Sequence, residues 1–163
     1  MASTDLSAFP KDATPNGGSF KIAIVVARWN DHITSNLLKG CIDVLTQSQV
    51  KEENIYVEYV PGSFELPIVA QWMIQKHQPN AVICLGCIIK GETYHFELVG
   101  EACAQGIMQL CLQSNVPVIM GVLADYNEQQ SLERSGGGKG NKGVEAAYTA
   151  LRMAAMAENY KLN

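Results

Sequence analysis

Between the apolar run Ala81 to Ile89 and an amphipathic stretch beginning near Tyr94, the chain reads Lys90-Gly91-Glu92-Thr93-Tyr94-His95. A cation, a glycine, a hydroxyl and an imidazole thus fall within six residues. An imidazole changes charge near neutral pH, so His95 is suited to general acid–base work. Glycine, threonine and the free N–H groups of a starting helix together suit a phosphate. In open α/β sheets, ligands bind outside the carboxyl ends of the strands, and this junction is such an end.

Two other strand ends carry suitable groups. Trp29 follows the run Ile22 to Ala27, where an indole can serve as a plate for a planar ring or as a cap on the core. Asn30 beside it offers a donor and an acceptor. Pro61-Gly62-Ser63-Phe64-Glu65-Leu66-Pro67 follows the second run. Pro-Gly sets a turn, Ser63 is a candidate cap for the next helix, and the turn's N–H and C=O groups can meet a polyol. Farther on, Arg134, Lys139 and Lys142 flank a glycine-rich stretch that can close over an anion or simply break two helices. If the strand ends share one edge, the residues describe a planar heteroaromatic ligand, a phosphorylated co-substrate, and proton transfer by His95.

Several tempting patterns fail on context. Gly138, Gly140 and Gly143 spell a dinucleotide fingerprint, but they follow a helix rather than a strand, and no strand is predicted after them. Cys84 and Cys87 are spaced as a metal pair, yet positions three apart on a strand point to opposite faces. The five cysteines all lie in apolar runs and their number is odd, which reads as structural thiols in a reducing cytoplasm. His32 and His77 lie in polar surroundings and call for no function.

The elements that must position these groups follow from periodicity. Ile22 to Ala27, Ala81 to Ile89 and Val116 to Leu123 are continuous apolar runs, as expected of strands covered on both faces. Ile55 to Val60 contains Glu58 and reads as an edge strand. Leu37, Leu38, Cys41, Ile42 and Leu45 mark a helix, Leu98 to Cys111 a helix with a wide apolar stripe, and Ile68 to Met73 a shorter one after Pro67. Val144 to about Tyr160 has helix-forming composition. Strand and helix alternate four times, with one more helix at the end. This order predicts a three-layer α/β/α sandwich with a four-stranded parallel sheet and right-handed crossovers. Residues 136–143 are expected to be a linker between helices.

The bulk composition bounds the function. A length of 163 residues suits one domain with its own core, expected over residues 20–163 behind a flexible arm at 1–19. A net charge of −4 without a basic run excludes nucleic acid and anionic membrane as expected partners. No apolar stretch reaches a membrane span, and the arm lacks the features of a secretory signal. With 47% apolar and only 17% charged residues, subunit contacts are expected to hide part of the surface.

At these residues the chain resembles the lumazine synthase family, which acts at the penultimate step of riboflavin formation. The resemblance rests on Ala27 to Asn30, Pro61 to Pro67, Ile89 to Glu97, Val116 to Leu123, Glu128 to Gly136 and Gly140 to Gly143, in family order from about Phe20 to Met156. It implies a flavodoxin-like strand order 2-1-3-4. It also implies a transferase that joins a ribitylamino-pyrimidinedione amine to dihydroxybutanone phosphate, giving dimethyl-ribityllumazine, phosphate and water. On that resemblance Trp29 stacks on the pyrimidinedione. Asn30 and the backbone at Ile88 and Ile89 address the heterocycle, and Ser63, Phe64 and Glu65 hold the ribityl chain. Glu92, Thr93 and Arg134 bind the phosphate, His95 relays protons, and Lys142 orients or neutralises charge. Met120 and Lys90 depart from the family pattern, which often has Phe and Arg there; the Phe closes a neighbour's site over the ring. The resemblance implies no metal or organic cofactor, since the amine substrate is itself the nucleophile. It implies a homo-oligomer, either a pentamer or a sixty-subunit icosahedral shell, with riboflavin synthase as an associated protein. The competing readings are a non-catalytic riboflavin- or lumazine-binding storage paralogue and a purely structural shell; intact His95, Thr93 and Arg134 favour the enzyme.

Overall fold

The computed structural model describes residues 14–160 together with Asp5, Ser7 and Ala8. Most of the arm expected over 1–19 lies outside these residues. Four parallel strands form one sheet: β1 (Ile22–Ala27), β2 (Ile55–Val60), β3 (Ala81–Ile89) and β4 (Val118–Asp125), in the order β2-β1-β3-β4. This is the expected flavodoxin-like order. β2 is an edge, as Glu58 suggested: it pairs with β1 alone, and Glu58 and Tyr59 are exposed. β4 begins later than its apolar run, after Pro117. Proline has no N–H for the ladder, although its carbonyl still accepts from Val82 N at 2.8 Å.

Every residue of β1 is buried, and alternate side chains enter two separate cores. On one face Ile22, Ile24, Val26, Ile83, Leu85 and Leu123 pack with Leu37, Cys41, Leu45, Ala147 and Leu151. The helices supplying that layer are α1 (Asp31–Gln47) and α5 (Lys142–Asn159). On the other face Ala23, Val25, Val60, Val82, Cys84 and Val122 meet Leu66, Ala70, Met73, Cys103 and Ile107. These come from the start and body of α2 (Leu66–His77) and from α3 (His95–Ser114). Each fully buried aliphatic side chain contributes roughly 1.5–3 kcal/mol. Cys84 and Cys87 fall in opposite cores, as strand alternation requires, and all five thiols are free.

α1 and α5 pack closely because Gly143 has no side chain: a Cβ there would lie 1.9 Å from the Leu37 carbonyl oxygen. The glycine-rich stretch is not the plain linker expected. After a short α4 (Glu128–Glu133) come two brief antiparallel strands, β5 (Ser135–Gly137) and β6 (Gly140–Asn141). Gly136 and Gly140 have φ of 119° and 82°, which lets the chain reverse within a few residues. Strands this short carry no hydrophobic period, so periodicity missed them. Asn141 then caps α5, accepting from Gly143 N and Val144 N. No helix among the described residues is long and apolar enough to cross a membrane.

Candidate active site

β1 and β2 end in register, Ala27 beside Val60, and β3, which pairs Leu85 with Val26, runs four residues farther to Ile89 at the same edge of the sheet. The loops after them are tied together. Arg28 N donates to the Val60 carbonyl at 2.8 Å and Trp29 N to the Pro61 carbonyl at 2.9 Å. Asn30 is left-handed, with φ of 59°, and heads α1. Its Nδ2 donates to the Cys87 carbonyl at 3.1 Å, bridging β1 to β3. The Asn30 amide is therefore partly engaged in joining strands, and its Oδ1 is the atom left to face a ligand.

Trp29 is 64% exposed, which rules out a core cap. Its ring lies on Gly62, where a Cβ would sit 2.5 Å from Trp29 Cε3. Gly62 is a residue whose role the sequence hid: it was read as a turn former, whereas its missing side chain seats the indole. Phe64, 59% exposed, stands on the same turn. Ser63 does not cap the helix as expected. The Glu65 carboxylate bridges the turn instead, accepting from Gly62 N at 3.0 Å. The Ser63 hydroxyl is buried beneath the turn, in the space over Gly86, without a hydrogen-bond partner.

At the end of β3, Ile88 and Ile89 are half-buried, and Gly91 to His95 are exposed. Nothing lies within 4 Å of a Cβ placed at Gly91, so the space before α3 is open. Tyr94 heads α3 and supplies no side-chain cap, so no side chain from the cap position satisfies the first-turn N–H groups near Glu92, Thr93 and His95. Lys90, one of the two departures from the family pattern, turns to Glu97 in the first turn of α3, with Nζ and Oε1 2.9 Å apart. The hydrogen bond from Lys90 holds the Glu97 carboxyl below its usual range, and the same bond raises the Lys90 ammonium. The loop that holds the cradle is thus closed at its base by an ion pair.

Arg134 follows α4, and its Nη1 lies 3.8 Å from Asp125 Oδ1 at the end of β4. Its carbonyl accepts from Lys142 N at 2.9 Å. Lys142 Nζ meets Glu145 at 2.8 Å. Met120 and Lys142 do not join the strand-end group. They line a hollow of about 360 Å³ with Ile107, Met108 and Thr149, between α3, β4 and α5. Met120 stands five residues before the carboxyl end of β4, roughly 16 Å along the strand.

Cysteine chemistry is disfavoured at this edge, since burial pushes the Cys87 thiol up to about 11. Among the described residues no group of three His, Cys, Asp or Glu side chains is placed to hold a metal. His32 pairs with Glu128 at 2.7 Å and His77 stacks on Tyr56, so both have structural partners.

A parallel α/β sandwich with an exposed indole, a polar turn and a helix start without a side-chain cap at one sheet edge has the layout at which open α/β folds bind ligands. Comparison with known proteins gives the class its name. The family model described as 6,7-dimethyl-8-ribityllumazine synthase matches residues 19–158, and the chain belongs to that family. It is 47% identical to the 6,7-dimethyl-8-ribityllumazine synthase of Flavobacterium psychrophilum over 99% of this chain and 85% of the relative. For the protein of that name from Porphyromonas gingivalis the identity is 44%, over 93% and 94% of the two chains. For that of Cytophaga hutchinsonii it is 48%, over 86% and 89%.

Proposed function

We propose that this chain catalyses the reaction of its family. It condenses 5-amino-6-(D-ribitylamino)uracil with 3,4-dihydroxy-2-butanone 4-phosphate to give 6,7-dimethyl-8-ribityllumazine, phosphate and water. The observation that carries the site assignment is the exposed Trp29 plate at the same sheet edge as the open cradle before His95. Trp29 stacks on the pyrimidinedione, with Asn30 Oδ1 and the backbone at Ile88 and Ile89 on its polar edge. Phe64, Glu65 and the main chain of Ser63 hold the ribityl chain. Thr93, Glu92 and the N–H groups at the start of α3 receive the phosphate, with Arg134 as its cation.

The 5-amine attacks the ketone carbonyl, and loss of one water gives an imine. After phosphate leaves, the ribitylamino nitrogen closes the second ring on the remaining carbonyl with loss of a second water. His95 takes and returns protons as the imine forms and as inorganic phosphate departs. The enzyme's remaining contribution is proximity. Residues 20–163 act as one catalytic domain in the cytoplasm, and no cofactor is required.

Assembly belongs to this reading. Ile68 and Trp72 on α2, and Leu98, Met108 and Leu112 on α3, are exposed apolar side chains on neighbouring helices. Met120 lies roughly 16 Å back along β4 from its carboxyl end, in a hollow that Lys142 also lines, so a site that uses both sets draws the second from a neighbouring copy. A pentamer, able to build an icosahedral shell and to associate with riboflavin synthase, satisfies both observations.

The test is lumazine fluorescence after mixing both substrates with wild type or His95→Ala, with the uncatalysed condensation subtracted. Turnover by wild type and a loss of about 10²-fold in the variant are expected. No turnover above background, with tight quenching of added riboflavin, would move the protein to the binding class.

A further inference from the structure

We propose that Asp125 is a positioning residue for Arg134, fixing the guanidinium so that it meets the phosphate of the ketone substrate. Asp125 ends β4 and is only 6% exposed, yet it is an acid at the tip of an otherwise apolar strand. A carboxylate so placed needs partners, and the structure gives one to each oxygen. Oδ2 accepts from Ser131 Oγ at 2.8 Å. Oδ1 faces Arg134 Nη1 at 3.8 Å. Ser131 is fully buried in α4 and accepts in turn from Cys87 Sγ at 3.4 Å. The Asp125 carbonyl accepts from Lys90 N at 2.9 Å, at the start of the cradle loop. Asp125 is also in register with Ile89, the last residue of β3.

Held by Ser131 on one side, the carboxylate cannot follow the arginine; the arginine must come to it. A free arginine side chain samples many rotamers. A buried anion contacting one end of the fork removes much of that freedom and leaves the other N–H groups for a second anion. The proposal rests on Arg134 being the phosphate cation, and the experiment separates the two ideas.

Asp125→Asn keeps an oxygen for Ser131 but removes the charge that holds Arg134. Its KM for the ketone phosphate and the inhibition constant of inorganic phosphate are expected to rise about tenfold, with the KM for the amine within about twofold. Added to Arg134→Ala, the same substitution is expected to change nothing further. Ser131→Ala, which frees the carboxylate without removing it, shifts the phosphate constants in the same direction by a smaller factor, and this keeps the proposal testable should Asp125→Asn fold poorly. Equal rises in both KM values, tighter phosphate binding by Asp125→Asn, an undiminished effect in the Arg134→Ala background, or phosphate constants unmoved by Ser131→Ala would each overturn it. An Arg134→Ala variant with an unchanged phosphate KM overturns the assignment of Arg134 as well; an Arg134 effect without an Asp125 effect overturns the positioning role alone.

Discussion

At the scale of single residues, the crevice sets side chains with opposite requirements next to one another. Trp29 keeps an apolar ring in solvent, while three residues beyond the end of β2 the Ser63 hydroxyl is buried with no partner. A buried unpaired hydroxyl costs roughly 1–3 kcal/mol. Its retention points to fit rather than bonding: Oγ fills the space left by Gly86. Ser63→Ala is therefore expected to match or exceed wild-type stability, by up to about 1 kcal/mol in urea unfolding, and to leave the KM for the amine unchanged because only the main chain at 63 reaches the crevice. A KM rise without loss of stability would show instead that the hydroxyl serves the ribityl chain. A serine in a Pro-Gly turn has the type of a helix cap, but here its hydroxyl turns toward Gly86 and α2 starts without a side-chain cap.

Among the elements, the junction of β3 and α3 is the most demanding. It must leave helix N–H groups free for an anion and still hold a loop of exposed residues in one shape. The Lys90–Glu97 pair closes the base of that loop. Because the Glu97 carboxyl is held low by the hydrogen bond from Lys90, its contribution is present above the ordinary carboxylate range and is lost as pH falls through the lowered value. Lys90 is held high by the same bond, so its contribution is present below the ordinary lysine range and is lost as pH rises through the raised value. The clamp is thus constant through neutrality. Glu97→Gln should speed amide hydrogen exchange at Gly91 to Tyr94 near neutral pH, and the difference from wild type should vanish in strong acid. Equal protection at neutral pH would mean that the loop is held by other contacts.

At the scale of the whole molecule, Met120 and Lys142 line a hollow beside β4, and the exposed apolar residues of α2 and α3 are uncovered among the described residues. In the proposed function these are the faces that a neighbouring copy meets. Met120→Glu places a charge on the floor of that hollow without touching Trp29 or His95. It is expected to lower the sedimentation coefficient of the assembly and to reduce kcat/KM at least about tenfold, with circular dichroism unchanged, since an unpaired charge at an apolar contact is strongly disfavoured. Full activity in a protein that sediments as a single chain would place the complete site within one subunit.

β1, β2 and β3 and the helices around them were legible in the sequence because burial on one or two faces imposes a period on residue type. His95, Thr93 and Trp29 were legible as strand-end groups for the same reason: their neighbours in sequence fixed where the strands stop. The hairpin of β5 and β6 was not, since three residues and two residues carry no period. Gly62 beneath Trp29, the Ser63 hydroxyl seated over Gly86, and the Asp125–Ser131–Cys87 chain could not be read in advance either. Each joins residues on different elements, and a local pattern records what a residue is but not what is packed against it. Sequence alone determined the layers, the strand ends and the chemical types gathered there. Tertiary structure decided the pairings: which carboxylate meets which cation, which hydroxyl is left without a partner, and which apolar side chains stay exposed, because these depend on contacts between elements far apart in sequence.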